Sequence, residues 1–220
     1  MPKRQLHSFT GVERARYLSL CEELFGALAS WRCDEESSEA RKKCLRFVTG
    51  LRFSALLIYA LRKLLLDSPL DAHWGTLLDD NNNPTRECDI VLHKRGSSIE
   101  IWNGGAAGKS DPVMDFHFVR ASEARAIISC KGYALETVTD DMARYARDLQ
   151  KYCPEIWLFA ECCNEGCAHS VAKSAKAKGY VRFTYLYSPE DGGTANPNKG
   201  GWLEFVSAVK KLSERDRGNA

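Results

Sequence analysis

Two short runs carry residue types that apolar strands rarely tolerate. Glu87-Cys88-Asp89-Ile90-Val91-Leu92 sets acids at the mouth of a hydrophobic strand, and Ile127-Ile128-Ser129-Cys130-Lys131 ends another on a lysine. A buried strand seldom holds Asp or Lys unless the sheet opens onto a site there. Side chains alternate along a strand, so Glu87 shares a face with Asp89, and Ser129 shares one with Lys131. A carboxylate and an ammonium brought together on neighbouring strands suit phosphodiester hydrolysis. The carboxylate would hold a hard divalent cation, Mg2+ or Mn2+, in oxygen coordination. Such a cation lowers the pKa of a bound water. The lysine would orient that water or neutralise charge developing on the phosphate. If the two runs do not meet, Asp89 is a turn or capping residue and Lys131 a solvated strand end.

Other constellations point less far. Cys162-Cys163-Asn164-Glu165-Gly166-Cys167-Ala168-His169 gathers soft ligands, but the spacing is not that of a standard zinc finger. Adjacent cysteines at a strand end face opposite ways, so free thiols are expected here rather than zinc at Cys163, Cys167 and His169. No cysteine sits in a nucleophile-elbow context. Gly104 to Ser110 only partly echoes a phosphate loop, because Trp102 or Asn103 stands where its first glycine belongs; a mobile loop is expected. Basic side chains cluster at Lys173, Lys176, Lys178 and Arg182, at Arg144, Arg147 and Lys151, and at Lys42, Lys43 and Arg46. Each group would either track nucleic-acid phosphates or form a solvated helix face. Asn196, Asn198 and Lys199, in a turn-rich stretch from Ser188 to Gly201, either enter a DNA groove or connect a strand to a helix.

The elements that would position these residues follow from hydrophobic periodicity. Leu18, Cys21, Leu24, Phe25 and Leu28 recur at helical spacing within 11–31. Asp34 to Lys43 reads as a loop or as exposed helical turns. Phe47 to Leu66 reads as a long buried helix, stopped by Asp67-Ser68-Pro69. A strand over Ala72 to Leu78, the turn Asp79-Asp80-Asn81-Asn82-Asn83-Pro84 and a strand over Glu87 to His93 predict an antiparallel hairpin. Further strands are expected over Ala124 to Cys130, Glu155 to Cys162 and Tyr180 to Tyr187. Helices are expected over Thr137 to Tyr152, capped by Thr139 or Thr137, over Ala168 to Lys178, closed by Gly179, and over Trp202 to Leu212. This order predicts an α/β fold, a mixed central sheet flanked by helices.

The run Gly75-Thr76-Leu77-Leu78-Asp79, the polar turn, Glu87-Cys88-Asp89-Ile90-Val91-Leu92 and Ile127-Ile128-Ser129-Cys130-Lys131 together resemble the PD-(D/E)XK, or restriction-endonuclease-like, nuclease superfamily. The likeness covers roughly Phe47 to Tyr187 and implies an αβββαβ core. It implies that Asp89 is the metal-binding aspartate, Lys131 the lysine of the (D/E)XK half-motif, and the Cys130 backbone carbonyl a further metal ligand. It implies a Mg2+- or Mn2+-dependent nuclease acting on DNA, with RNA as an alternative, in restriction or anti-phage defence. A homodimer and a protein partner from a defence operon are compatible with it. Two departures stand out. Ser129 occupies the position of an acid, and Arg52-Phe53-Ser54-Ala55 offers no glutamate on the first core helix. The missing acid is sought at Glu87, Glu136 or Asp140; Glu123 lies roughly 20 Å up its strand, at about 3.3 Å per residue. The other reading is a degenerate nuclease-fold module that binds nucleic acid or a protein.

Composition bounds these readings. With 220 residues, 31 basic against 29 acidic side chains and 44% hydrophobic residues, the chain has the make-up of a globular protein, with no blanket polycation. An odd count of nine cysteines, several in apolar runs, fits a reducing compartment, so a cytoplasmic location is expected. Met1 to Thr10 lacks the apolar region of a signal peptide. Leu51 to Leu66 is too short and too charged to span a bilayer. The expected organisation is a helical N-terminal extension over 1–46 and a restriction-endonuclease-like unit over 47–215.

Overall fold

A computed structural model describes residues 8–29, 39–103, 115–134, 137–189 and 195–218, without the side chains of 29, 39–50, 102 and 103. The glycine-rich 104–108 segment lies outside these residues. The chain begins with helices α1 (Gly11–Ala29) and α2 (Glu39–Leu64), followed by strands β1 (Leu70–Leu78), β2 (Pro84–Lys94), β3 (Ser98–Asn103), β4 (Asp115–Arg120) and β5 (Ala124–Ala134). Helix α3 (Asp140–Gln150), β6 (Ile156–Cys163), α4 (Glu165–Ala177), β7 (Arg182–Pro189), β8 (Ala195–Pro197) and α5 (Lys199–Gly218) complete it. Helix α2 starts earlier than its apolar run and passes through 46–47 without a break.

The strands form one mixed sheet in the order β3-β4-β1-β2-β5-β6-β7-β8. The expected hairpin is present: β1 and β2 are antiparallel, with Ala72 opposite Leu92. Its turn is held by Asp79, whose Oδ1 accepts the backbone N–H groups of Asn81 and Asn83 at 2.9 and 2.8 Å, an arrangement for which Asp is suited. Strand β2 then pairs antiparallel with β5. The β5-α3-β6 and β6-α4-β7 crossovers make parallel pairs, as a helix returning over a sheet requires. Thr139 caps α3 by accepting from Met142 N–H at 3.3 Å. Asn164 caps α4, which begins at Glu165, three residues ahead of its expected start. Gly179, at φ 102°, turns the chain into β7.

Strands β3, β4 and β8 were not expected from periodicity. Strand β8 is three residues long and β3 is an edge strand with Ile99 and Ile101 exposed. Strand β4 puts Asp115 and His117 on its buried face, against the hydrophobic alternation a strand usually shows.

One side of the sheet packs Leu70, Ala72, Ile90, Leu92, Ala126, Ile128 and Phe159 against α1, α2 and α5. Trp202 Nε1–H donates to Tyr17 O at 2.8 Å, docking α1 on α5 inside this core. The other side packs Leu77, Val91, Val119, Ile127 and Leu158 against Ala146 and Leu149 of α3 and Ala175 of α4. Among the described residues no helix is long and apolar enough to cross a membrane.

Candidate active site

Ile90 stands opposite Ile128 in the β2–β5 ladder, and one step further along brings Asp89 beside Ser129. The Cys130 N–H donates to Asp89 Oδ2 at 2.7 Å, and the Ser129 hydroxyl donates to the same oxygen at 3.4 Å. Lys131 Nζ donates to the Cys130 carbonyl at 3.0 Å and stands 3.9 Å from Asp89 Oδ2. The two strand ends therefore meet. About a third of each side chain stays open, 38% for Lys131 and 34% for Asp89, so a ligand in solvent can reach both. Desolvation pushes the Asp89 carboxyl above its usual range, while the Lys131 ammonium and the Cys130 N–H oppose that rise. Behind the pair lie Cys88 and Tyr180, whose acidic protons burial holds up to about 12. The Tyr145 hydroxyl is buried beside Cys88, and desolvation raises its pKa well above the usual value. A cavity of about 170 Å³ opens beside Lys131, walled by Thr137, Val138, Thr139, Met142 and Val171 among others.

The described candidates for the acid missing at Ser129 each have partners of their own, and Glu87 acts on the Asp89 carboxyl, helping desolvation to raise it. Glu87 is exposed and its Oε1 accepts the Trp74 indole N–H at 2.7 Å. Asp140 is exposed and accepts from Lys178 Nζ at 2.8 Å. Glu123 lies 3.9 Å from Arg125 Nη2, and Glu136 falls outside the described residues. A different buried acid is present: Glu161 on β6, with Oε1 accepting from the Tyr187 hydroxyl at 3.1 Å and Oε2 unpartnered. It alternates with Ala160 and sides with Phe159, on the sheet face of α1 and α2, away from Asp89. Burial raises its carboxyl pKa, with Tyr187 and Arg52 opposing.

The remaining sequence candidates are dispersed. Lys173 and Lys176 are exposed on α4, and Arg144 and Lys151 are exposed on and just after α3. Arg144 is paired with Asp141, and Lys151 Nζ lies 5.0 Å from the Tyr152 ring centroid. The side chains of Lys42, Lys43 and Arg46 are outside the described set. Asn198 serves the fold: its Oδ1 accepts from Gly201 N–H at 2.9 Å at the start of α5, and its Nδ2 donates to Tyr185 O at 3.1 Å. Lys199 pairs with Glu22 at 2.6 Å. Cys163 ends β6, whereas Cys167 and His169 lie on α4. Seven described cysteines, Cys21, Cys88, Cys130, Cys153, Cys162, Cys163 and Cys167, have free thiols.

A polar cluster not singled out from the sequence lies where β1 meets β4. Gly75 pairs with His117 in parallel register, so His73, Asp115 and His117 share the face of Leu77 and Val119. His117 Nε2 is 3.0 Å and His73 Nε2 3.8 Å from Asp115 Oδ2. Arg62 Nη2 donates to Asp115 Oδ1 at 2.7 Å, and its Nε donates to Ala72 O at 3.0 Å. His73 and His93 join through Nδ1 and Nε2 at 2.8 Å. Burial, then the neighbouring His117, Arg62 and His93, push the His73 imidazole down to about 2. Burial works to raise the Asp115 carboxyl, but His117 and Arg62 hold it below its usual range. A Cβ on Gly75 would fall 2.0 Å from the His117 carbonyl oxygen, so glycine is what lets β1 and β4 approach here. The available signal was the Asp115-Phe116-His117 spacing, which aligns two ligand-bearing side chains if the segment is a strand.

The mixed sheet, its flanking helices and the hairpin-then-βαβ order define a restriction-endonuclease-like fold. Among solved structures, the chain is similar to NucC of P. aeruginosa ATCC27853 in its cAAA-bound form, at 14% identity and a TM-score of 0.59 over 94% of this chain and 92% of that one. It is also similar to E. coli MS115-1 NucC in its cAAA-bound form, at 13% identity and TM-score 0.55 over 94% and 93% of the two chains. The apo form of the latter aligns at 12% identity and TM-score 0.51 over 92% of each chain. No protein-family model and no curated protein matches the sequence.

Proposed function

We propose that this chain is a divalent-metal-dependent nuclease that hydrolyses phosphodiester bonds in DNA and serves restriction or anti-phage defence in the cytoplasm. The observation that carries the reading is the meeting of Asp89 and Lys131 on adjacent strands, with Asp89 Oδ2 gripped by the Cys130 N–H at 2.7 Å. The donors available, the Asp89 carboxylate, the Ser129 hydroxyl and the Cys130 carbonyl, are all oxygens and suit Mg2+ or Mn2+, with one anionic ligand among them. Asp89 and Cys130 would hold the cation, which when bound supplies an acidified water and neutralises phosphate charge. Lys131, already aimed between the Cys130 carbonyl and Asp89, would donate to a phosphate oxygen and offset its growing charge. Lys173, Lys176, Arg144 and Lys151 would contact the backbone of the nucleic acid.

A specific observation supports a second reading: Ser129 leaves the site one carboxylate short, while Glu87 and Asp140 are engaged elsewhere. A degenerate module that binds nucleic acid or a protein partner would have this composition. The deciding experiment is cleavage of plasmid and linear DNA, and of RNA, with Mg2+ or Mn2+, with and without cAAA, the ligand of two of the similar structures. Wild type is compared with Asp89→Ala and Lys131→Ala. Cleavage lost in both variants is the expected result. Cleavage persisting in both would refute this site. Binding without cleavage by wild type, and no Mg2+ uptake, would favour the module. Sedimentation of the same samples tests the proposed homodimer.

A further inference from the structure

We propose that His73, Asp115 and His117 form a binding site for a first-row transition metal of the zinc class. The site shares no residue with Asp89 and Lys131 and ties β4, with its edge partner β3, to β1.

The His73 and His117 ring nitrogens and the Asp115 carboxylate oxygen lie within 4.8 Å of one another. Tetrahedral zinc with bonds near 2.0–2.1 Å separates its ligand atoms by roughly 3.3 Å. The observed Asp115 Oδ2 separations, 3.0 Å to His117 Nε2 and 3.8 Å to His73 Nε2, bracket that value. Two nitrogens and one oxygen, with no thiol, match the donors such ions take and differ from the all-oxygen set magnesium prefers.

The proton positions follow from the surrounding hydrogen bonds. The Lys94 carbonyl can only accept, so His93 Nδ1–H donates to it at 2.8 Å. Neutral His93 then presents Nε2 as an acceptor, and His73 Nδ1–H donates to it at 2.8 Å. This leaves a lone pair on His73 Nε2, facing the cluster. Arg62 takes Asp115 Oδ1 and leaves Oδ2 for a ligand. His117 Nδ1 is 3.0 Å from Ser98 Oγ, and its buried Nε2 is 3.0 Å from Asp115 Oδ2. A cation held between those two atoms would take the place of the proton that His117 Nε2 shares with Asp115 Oδ2. The outer contacts from His93, Ser98 and Arg62 are those that orient metal ligands. The His73 and His117 rings stack with centroids 3.7 Å apart and planes 15° from parallel, so ligation by both turns one ring about its Cβ–Cγ bond.

The test is titration of the full chain, first treated with a chelator, with Co2+ as a spectroscopic probe and Zn2+ as competitor. The expected result is one Co2+ per chain with visible d–d bands, no near-ultraviolet thiolate band, displacement by Zn2+, and a melting temperature raised by Zn2+. His117→Gln and Asp115→Asn should each lower Co2+ affinity at least about tenfold. The double variant Cys163→Ser/Cys167→Ser should bind as wild type does. No Co2+ uptake by wild type overturns the proposal. So does uptake undiminished in both ligand variants, or a thiolate band that disappears in the cysteine variant. Should His117→Gln fail to fold, Asp115→Asn and the wild-type spectrum decide.

Discussion

Replacing Ser129 with aspartate tests directly whether the Asp89 site is a divalent-cation site lacking one charge. Ser129 Oγ is 3.4 Å from Asp89 Oδ2, so Ser129→Asp sets a second carboxylate against one whose charged form is already disfavoured by desolvation. Two unit charges at that distance repel by about 5 kcal/mol at an effective dielectric constant near 20. The pair will shed part of this by sharing a proton, so the variant should melt below wild type in chelator by a smaller amount. Mg2+ should then reverse the deficit. With a Kd near 0.1 mM, about 10 mM Mg2+ contributes roughly 2.7 kcal/mol, or about 5–10 °C for a chain of this size. The wild-type site has a single carboxylate. With a Kd near 10 mM, it should gain only about 0.4 kcal/mol under the same conditions. Differential scanning fluorimetry with and without Mg2+ measures both, and DNA cleavage should rise in Ser129→Asp. Adding Asp89→Asn to the variant should abolish the Mg2+ response. Equal Mg2+ shifts in wild type and Ser129→Asp would refute the reasoning, because the two residues would then not face one ion.

Three further expectations follow from other contacts. Gly75→Ala should destabilise by about 3 kcal/mol or more, measured by urea denaturation, since its Cβ would sit 2.0 Å from a backbone oxygen that cannot rotate away. Thr139→Ala should cost about 1 kcal/mol through loss of the α3 cap, with the far-ultraviolet spectrum unchanged. Glu161 has a raised pKa in the fold. The stability it contributes is therefore fully present below the unfolded carboxyl value, near 4.3, and is lost as pH rises through the folded value. Glu161→Gln should accordingly be more stable than wild type at neutral pH, the gain shrinking toward pH 4; a gain independent of pH in urea titrations would contradict this.

How much was legible in the sequence depended on whether hydrophobic contrast marked the residues. Asp89 and Lys131 were legible because each breaks an otherwise apolar strand, and alternation then decides which neighbours share its face. The helices α3 and α4 were legible to within three residues through their caps and apolar stripes, whereas α5 runs six residues past its expected end at Leu212. Strand β4 was not, because its buried face carries Asp115 and His117, and a polar buried face reads as a loop beside a glycine-rich stretch. The partners of the acid candidates near Asp89 were not legible, for a related reason. Glu87 and Asp140 were placed near the site by strand alternation and by proximity in sequence, but Trp74 comes from β1 and Lys178 from the end of α4, 38 residues beyond Asp140. Long-range partners of this kind leave no periodic trace. The same limit applies to His73, which lies 42 positions from Asp115 and is brought beside it only by the parallel β1–β4 register. Local pattern specifies which face a residue occupies, whereas strand order specifies which polar residues share it. The chemistry of both clusters depends on strand order.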